Sequence, residues 1–262
     1  MASRQEATAL LGRMAAVRSI PRYRDSKYAC ALECFTTTDP KAKTGTKLEK
    51  PWPNHKSYED VWKLIDSGAL DILYHQKTKQ TFWTNSAAGY STASMLLSPG
   101  SHIVAQGQRD ETSWEILGRV CYILRHMKGP FTGQLKEGED WEASGNEVVV
   151  RTFLGEPCES RFTAIPSGAA KWRVFGVTLG ILDEAAYHRE QKATIEAALS
   201  ACEGGGFLWI FSTGVFGSQF NEEMDRKVHE YRVWAIQNQE EYVNLVRYRG
   251  DAYRIPGLMV AA

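Results

Sequence analysis

A chain of 262 residues, 43% hydrophobic and 24% charged, is long and apolar enough to bury a large core as one domain, so a folded chain rather than a disordered one is expected. Lysine and arginine together number 31, as do aspartate and glutamate, so no overall positive field draws the protein to nucleic acid; any DNA contact must come from local patches. No apolar run reaches the roughly 18 residues of a membrane-spanning helix, so a soluble chain that touches no membrane is expected.

Cys30, Cys34, Cys121, Cys158 and Cys202 are an odd number without paired metal-ligand spacing, and no secretory leader precedes them, which fits a reducing cytoplasm. Cys30 and Cys34 have no second cysteine pair or histidine set nearby. They read as two small apolar side chains on one face of a helix or strand rather than as a zinc site.

In chain order, Ala9, Leu10, Leu11, Met14, Ala15 and Val17 carry helical spacing over residues 1–20, and residues 39–53, rich in Lys, Thr and Pro, form a loop. Val61, Trp62, Leu64 and Ile65 predict a helix over 60–70 that Ser67-Gly68 ends, and a strand follows at 71–75. Next come a helix over 85–97, a strand at 102–106 and a helix over 111–127, the alternation of a parallel sheet. Residues 148–154 and 160–165 flank Gly155-Glu156-Pro157 and read as a hairpin on the sheet's margin. Two continuously apolar strands, 177–182 and 207–212, enclose a helix over 191–202, and such strands suit a sheet covered on both faces. The polar segment 221–262 is expected to form a small lid or linker.

The strongest chemical signal is Val177-Thr178-Leu179-Gly180-Ile181-Leu182-Asp183-Glu184, an apolar strand ending in two adjacent carboxylates. This is the Walker B arrangement. An Asp at the strand's tip can hold Mg²⁺ and the next Glu can orient and deprotonate an attacking water. The plainer alternative is a strand whose Asp183 caps the turn that begins at Ala185.

A phosphate-binding loop should precede it, between a strand and a helix. A strict GxxxxGK[ST] is absent, and Lys77-Thr78-Lys79-Gln80-Thr81-Phe82-Trp83-Thr84 occupies that place. Thr84 lies where a metal-binding hydroxyl would enter the helix, the helix N-terminus could face phosphate, and Lys79 or Lys77 would be the cation. The alternative is a polar loop with two solvated lysines. A third element, Leu208-Trp209-Ile210-Phe211-Ser212-Thr213-Gly214, is an apolar strand ending in two hydroxyls and a glycine, or simply a turn after a core strand.

In the order of these elements the chain resembles the ATPase domain of phage and viral large terminases, over roughly residues 30–220. Members often carry a loop of the type Lys-Ser-Arg-Gln-Met-x-x-Thr, which residues 77–84 match apart from Lys79 in place of Arg. Ile165-Pro166-Ser167-Gly168, the stretch from Arg173 to Thr178, Asp183-Glu184-Ala185-Ala186-Tyr187 and Ser212-Thr213-Gly214 are also similar, as is the lead-in from Glu33-Cys34-Phe35 through Pro53. The loop departs from the family in lacking both glycines and the lysine directly before Thr84, where Trp83 stands.

The resemblance implies an α/β fold of the P-loop NTPase, ASCE/RecA-like kind: a mostly parallel central sheet flanked by helices, with a β-hairpin extension and a small C-terminal lid or linker. Residues 1–220 would be the ATPase domain, with 1–53 as its lead-in and 221–262 as the lid; no nuclease domain would follow in this chain. ATP and Mg²⁺ would bind, with residues 77–84 on the nucleotide and Thr84 and Asp183 on the metal. Glu184 would activate water, Lys77 or Lys79 would contact the β- or γ-phosphate, and Gln80 would position phosphate or water. Arg173 would act as an arginine finger on a neighbouring subunit, or else be a structural Arg bonded to a hairpin carboxylate. Ser212, Thr213 and Gly214 would couple the loss of the γ-phosphate to movement of DNA.

Implied partners are double-stranded DNA, the portal and the small terminase subunit. The chain would form a ring on the procapsid in the host cytoplasm and be a monomer in isolation. Two other classes share these features. A helicase-like DNA-dependent ATPase would carry a second such domain, and a nucleotide-binding module without hydrolysis would explain the degenerate loop.

Overall fold

The structure, a computed structural model, describes residues 4–38, 49–68, 71–77, 82–213, 218, 220 and 222. Residues 78–81, Gly214 and nearly all of the expected lid at 221–262 lie outside them.

The helices are α1 (Arg4–Asp25), α2 (Lys27–Cys34), α3 (Lys56–Asp66), α4 (Trp83–Leu97), α5 (Asp110–Arg125) and α6 (Gln191–Cys202). The strands are β1 (Thr36–Thr38), β2 (Glu49–Pro51), β3 (Ile72–Lys77), β4 (His102–Gln106), β5 (Trp141–Ser144), β6 (Glu147–Phe153), β7 (Glu156–Ile165), β8 (Leu179–Asp183) and β9 (Phe207–Thr213). A seven-stranded sheet runs in the order β3-β9-β8-β4-β7-β6-β5, and β1 and β2 pair separately. β9 is parallel to both β3 and β8, whereas β5, β6 and β7 pair antiparallel. The sheet is therefore mixed, as the α/β alternation with a marginal hairpin predicts.

Burial follows the two kinds of pairing. β8 is buried throughout and β9 nearly so, because parallel strands covered on both faces have no solvent side. β6 alternates buried and half-buried residues until a bulge between Val150 and Thr152. The hairpin turn is shorter than the sequence suggests. Phe153 pairs with Glu156, so Leu154 and Gly155 alone make the turn, both with positive φ (54° and 80°). A type I′ turn requires that conformation because its twist matches that of the strands. β5 escapes sequence reading because only Trp141 of its four residues is buried, and β2 lies inside the expected loop with all of its residues exposed.

The chain divides into two compact units. The first comprises Met1–Gly68, Thr84–Val104 and Trp114–Ala164. Its core includes an aromatic cluster in which Trp62 meets Tyr28, Trp52 and Tyr90, and the Trp62 indole N–H donates to Ser86 Oγ at 2.8 Å. α2 starts at Ser26, whose hydroxyl accepts from the Ala29 N–H, and Cys30 and Cys34 lie buried one turn apart on it. Both thiols are free, and the Cys34 thiol donates to the Tyr23 hydroxyl at 3.5 Å. The lead-in strand β1 lines a cleft of about 410 Å³ together with Asn85, Glu115, Arg119 and Tyr122.

The second unit comprises Ala69–Trp83, Ala105–Ser113 and Ile165–Ala262. Here α6 packs on β8, and Gly180 makes that packing possible: a Cβ on it would lie 2.9 Å from Leu208 Cδ1 and 3.1 Å from Cys202 Sγ. Among the described residues, no helix is long and apolar enough to cross a membrane.

Candidate functional site

The strand register assembles the site. In β3, β9 and β8, Lys77 is level with Thr213, and His75 and Asp183 are both level with Phe211. Side chains alternate between the faces of a strand, so Leu73, His75 and Lys77 share one face with Trp209 and Phe211 and with Ile181 and Asp183. The apolar members lie toward the strand interiors and the charged ones at the carboxyl ends. That edge is where open α/β sheets bind ligands.

Lys77 is the centre of the cluster. Its Nζ lies 3.0 Å from Asp183 Oδ1 and 2.9 Å from Glu184 Oε1, and 4.9 Å from the centroid of the Phe211 ring. The Lys77 side chain is 5% exposed and that of Asp183 1%, while Glu184 keeps 24%. Burial alone would lower the lysine pKa, but the charges and hydrogen bonds of Asp183 and Glu184 outweigh it and hold the ammonium above its ordinary value.

Glu184 adopts a left-handed backbone conformation, φ 54° and ψ 44°, rare outside glycine. It turns the chain from β8 into the short 3₁₀ turn Ala185–Tyr187. Glu184 stands at the N-cap of that turn and makes no side-chain cap bond. Its other oxygen, Oε2, instead accepts from the Thr213 N–H at 3.2 Å and lies 3.3 Å from Ser212 Oγ. Ser212 Oγ also accepts from the Ala186 N–H at 3.0 Å. The tip of β9 therefore braces both the carboxylate and the turn behind it.

His188 and Gln191 complete the brace, and sequence reasoning missed both. His188 Nε2 donates to the Asp183 carbonyl at 3.0 Å, and burial lowers the pKa of the ring. Gln191, the first residue of α6, donates to the Ala186 carbonyl and accepts from the Phe220 N–H at 3.1 Å. The only available signal was proximity in sequence to Asp183-Glu184.

Trp83 stands where a lysine would precede the loop's threonine. It is 1% exposed and meets the His75 ring edge-on at 4.1 Å between centroids, with Trp209 at 6.2 Å. Its side chain belongs to the core, and α4 begins there, two residues earlier than the sequence suggests. Thr84 is half-buried in the first turn of that helix, and Phe82 is half-buried just before it. Thr78, Lys79, Gln80 and Thr81 lie outside the described residues, as does Gly214.

Arg173 takes no part in the lysine–carboxylate cluster. It lies exposed on the 3₁₀ turn Ala169–Val174, beside a cleft of about 380 Å³ that it shares with Phe175 and with Ala193, Glu196 and Ser200 of α6. It forms no ion pair with any described residue, so the expected alternative of a structural bond to a hairpin carboxylate finds no support. Gln106, at the end of β4, anchors this turn: its Nε2 donates to the carbonyls of Pro166 at 2.6 Å and Gly168 at 3.1 Å, and its Oε1 accepts from the Trp172 indole at 3.0 Å.

Fold and site together define an α/β protein with a lysine and two carboxylates at the carboxyl ends of parallel strands. The chain is similar in structure to the large terminase of bacteriophage HK97, with a TM-score of 0.57 and 14% identity over 82% of this chain and 42% of that one. It is also similar to the large terminase of the thermophilic bacteriophage D6E, with a TM-score of 0.52 and 13% identity over 68% of this chain and 44% of that one. The chain thus spans less than half the length of the terminases it matches, and over that span it has their fold. No family model matches the sequence, and no curated protein matches it.

Proposed function

We propose that the chain is the ATP-hydrolysing part of a viral DNA-packaging motor, a terminase large subunit that couples hydrolysis to movement of double-stranded DNA into a procapsid. The observation that carries this reading is the convergence of Lys77, Asp183 and Glu184 at the carboxyl ends of β3 and β8. In phosphoryl transfer a protein mainly positions and neutralises charge, and an acid pair beside a cation has the chemistry for both.

The donor set suits Mg²⁺. Two carboxylate oxygens reach one cation position, and this ion takes one or two carboxylates and completes its shell with water and phosphate. Asp183 would hold it, with the Thr84 hydroxyl as a second protein ligand, and the bound ion would neutralise charge on the transferring phosphoryl group. Glu184 takes the proton of the attacking water, its carboxylate aimed by the Thr213 N–H and Ser212. Lys77 or Lys79 contacts the β- or γ-phosphate, residues 77–84 bind the nucleotide, and Gln80 positions phosphate or water. Ser212, Thr213 and Gly214 carry the loss of that phosphate toward the DNA-gripping part, and Arg173 serves a neighbouring subunit. Residues 1–220 form the ATPase part and 221–262 a lid. The portal, the small subunit and the host cytoplasm belong to the same reading.

The test is ATP turnover by the purified chain, with and without duplex DNA, beside Glu184→Gln. The substitution removes the proton acceptor and leaves Asp183, so nucleotide binding should persist while turnover falls by about 10² to 10⁴. Undiminished turnover in that variant removes Glu184 from the reaction, and a wild type that neither binds nor hydrolyses ATP defeats the reading.

A further inference from the structure

We infer that Lys77 is the resting counter-ion of the Asp183-Glu184 pair and that this ammonium and a divalent cation exclude one another there. The inference rests on the reading of Asp183 as a metal-holding residue, and it adds an order of events. The pair is closed to metal until an anion draws Lys77 away.

The geometry seats one cation between the two carboxylates. Lys77 Nζ bridges Asp183 Oδ1 at 3.0 Å and Glu184 Oε1 at 2.9 Å, with the Phe211 ring against it and only 5% of the lysine side chain exposed. A magnesium ion would sit about 2.0–2.1 Å from its oxygens, within the space that the ammonium fills. Two cations held between the same two carboxylates at low exposure would repel strongly, because screening by water is weak there. The brace on Glu184 sharpens the choice: its second oxygen is already committed to the Thr213 N–H and Ser212, so the carboxylate cannot turn to offer the metal its other face.

A triphosphate resolves the exclusion, since its oxygens offer the ammonium a new partner and bring the metal's remaining ligands at once. Phosphate and metal therefore enter together, and metal alone does not. A buried pair of negative charges also never stands uncompensated between turnovers, a state that would be costly.

The test uses Mn²⁺ as a paramagnetic stand-in for Mg²⁺, titrated into the nucleotide-free full chain with free Mn²⁺ read by electron paramagnetic resonance. Lys77→Gln should bind Mn²⁺ more tightly than wild type, by a factor in the range of about 5 to 150 typical of coupled sites. Lys77→Arg, which keeps the charge, should stay near wild type, and the gain should vanish in the double variant Lys77→Gln with Asp183→Asn. Equal Mn²⁺ affinity in wild type and Lys77→Gln overturns the inference. Should Lys77→Gln be too unstable to purify, Lys77→Met is read in the same way, and wild type gives an independent reading through its Tm, which metal bound to the folded state would raise. A wild-type Tm that Mn²⁺ raises less than it raises that of Lys77→Met supports the exclusion; an equal rise in both that Asp183→Asn abolishes overturns it. ATP turnover measured alongside separates the two readings. Turnover without an Mn²⁺ gain defeats the exclusion alone, and an Mn²⁺ gain in a chain without turnover defeats the ATPase reading alone.

Discussion

The Thr213 backbone N–H donates to Glu184 Oε2 at 3.2 Å, so the last residue of β9 grips the carboxylate that follows β8. Thr213 is level with Lys77 on the neighbouring strand, whose ammonium holds the other oxygen of the same carboxylate. Glu184 is thus fixed from two strands, one through a backbone amide and one through a charge.

Ser212→Ala tests the side-chain half of that grip. It removes the acceptor of the Ala186 N–H and a donor to Glu184, and stability should fall by about 1–2 kcal/mol. As a positioning residue, Ser212 should affect kcat with little change in KM, and Ser212→Thr should restore most of the loss. A KM effect with kcat intact would place Ser212 on substrate binding instead.

Arg173 is exposed and free of ion pairs to described residues, which leaves it available to a second subunit. Arg173→Ala subunits keep a pocket and Glu184→Gln subunits keep a finger. Mixing them should recover hydrolysis, since a supplied guanidinium is worth about 10³ to 10⁵ in rate. If the mixture stays inactive under conditions where wild type turns over, action in trans is ruled out.

Thr84→Ala should weaken nucleotide binding in Mg²⁺ more than in its absence, as expected for a hydroxyl that serves the metal. Calorimetric titrations with and without Mg²⁺ decide it: equal losses in both would remove the metal role.

Trp83→Lys restores the residue type expected before the loop's threonine, yet it should abolish folding rather than improve activity. Removing a buried tryptophan costs about 3–5 kcal/mol, and a charge placed among His75 and Trp209 adds to that. A folded, more active Trp83→Lys protein would contradict the placement of Trp83 in the core.

His75 makes acid stability diagnostic. Burial, and then the charge of Lys77, lower its pKa to about 3 from an ordinary value of 6.5. The unfolded chain therefore binds the extra proton first, and the stability tied to the neutral ring is complete above pH 6.5 and lost progressively as pH falls toward 3. The slope from this residue is about 1.4 kcal/mol per pH unit inside that window. His75→Phe, which keeps an aromatic ring beside Trp83, should flatten the fall in urea-unfolding free energy between pH 6 and 4; an unchanged slope would assign it to other groups.

Much of the layout is legible in the amino-acid order alone. The strand at 102–106 and the helix over 191–202 occur with the expected boundaries, because apolar patterning is a local property and Pro99-Gly100, Gly107 and Gly204 punctuate it nearby. The buried strands β8 and β9 are legible as continuous apolar runs, and with them the position of Asp183 and Glu184 at a strand's end. Tertiary structure alone decided which cation faces those carboxylates. Lys77 and Asp183 are 106 positions apart, and only the order β3-β9-β8 with its register brings them together. The same register turned the hydroxyl of Ser212 toward Glu184. Strand order and register are set by the packing of distant apolar surfaces, so sequence spacing identified the chemical groups and the folded sheet determined their partners.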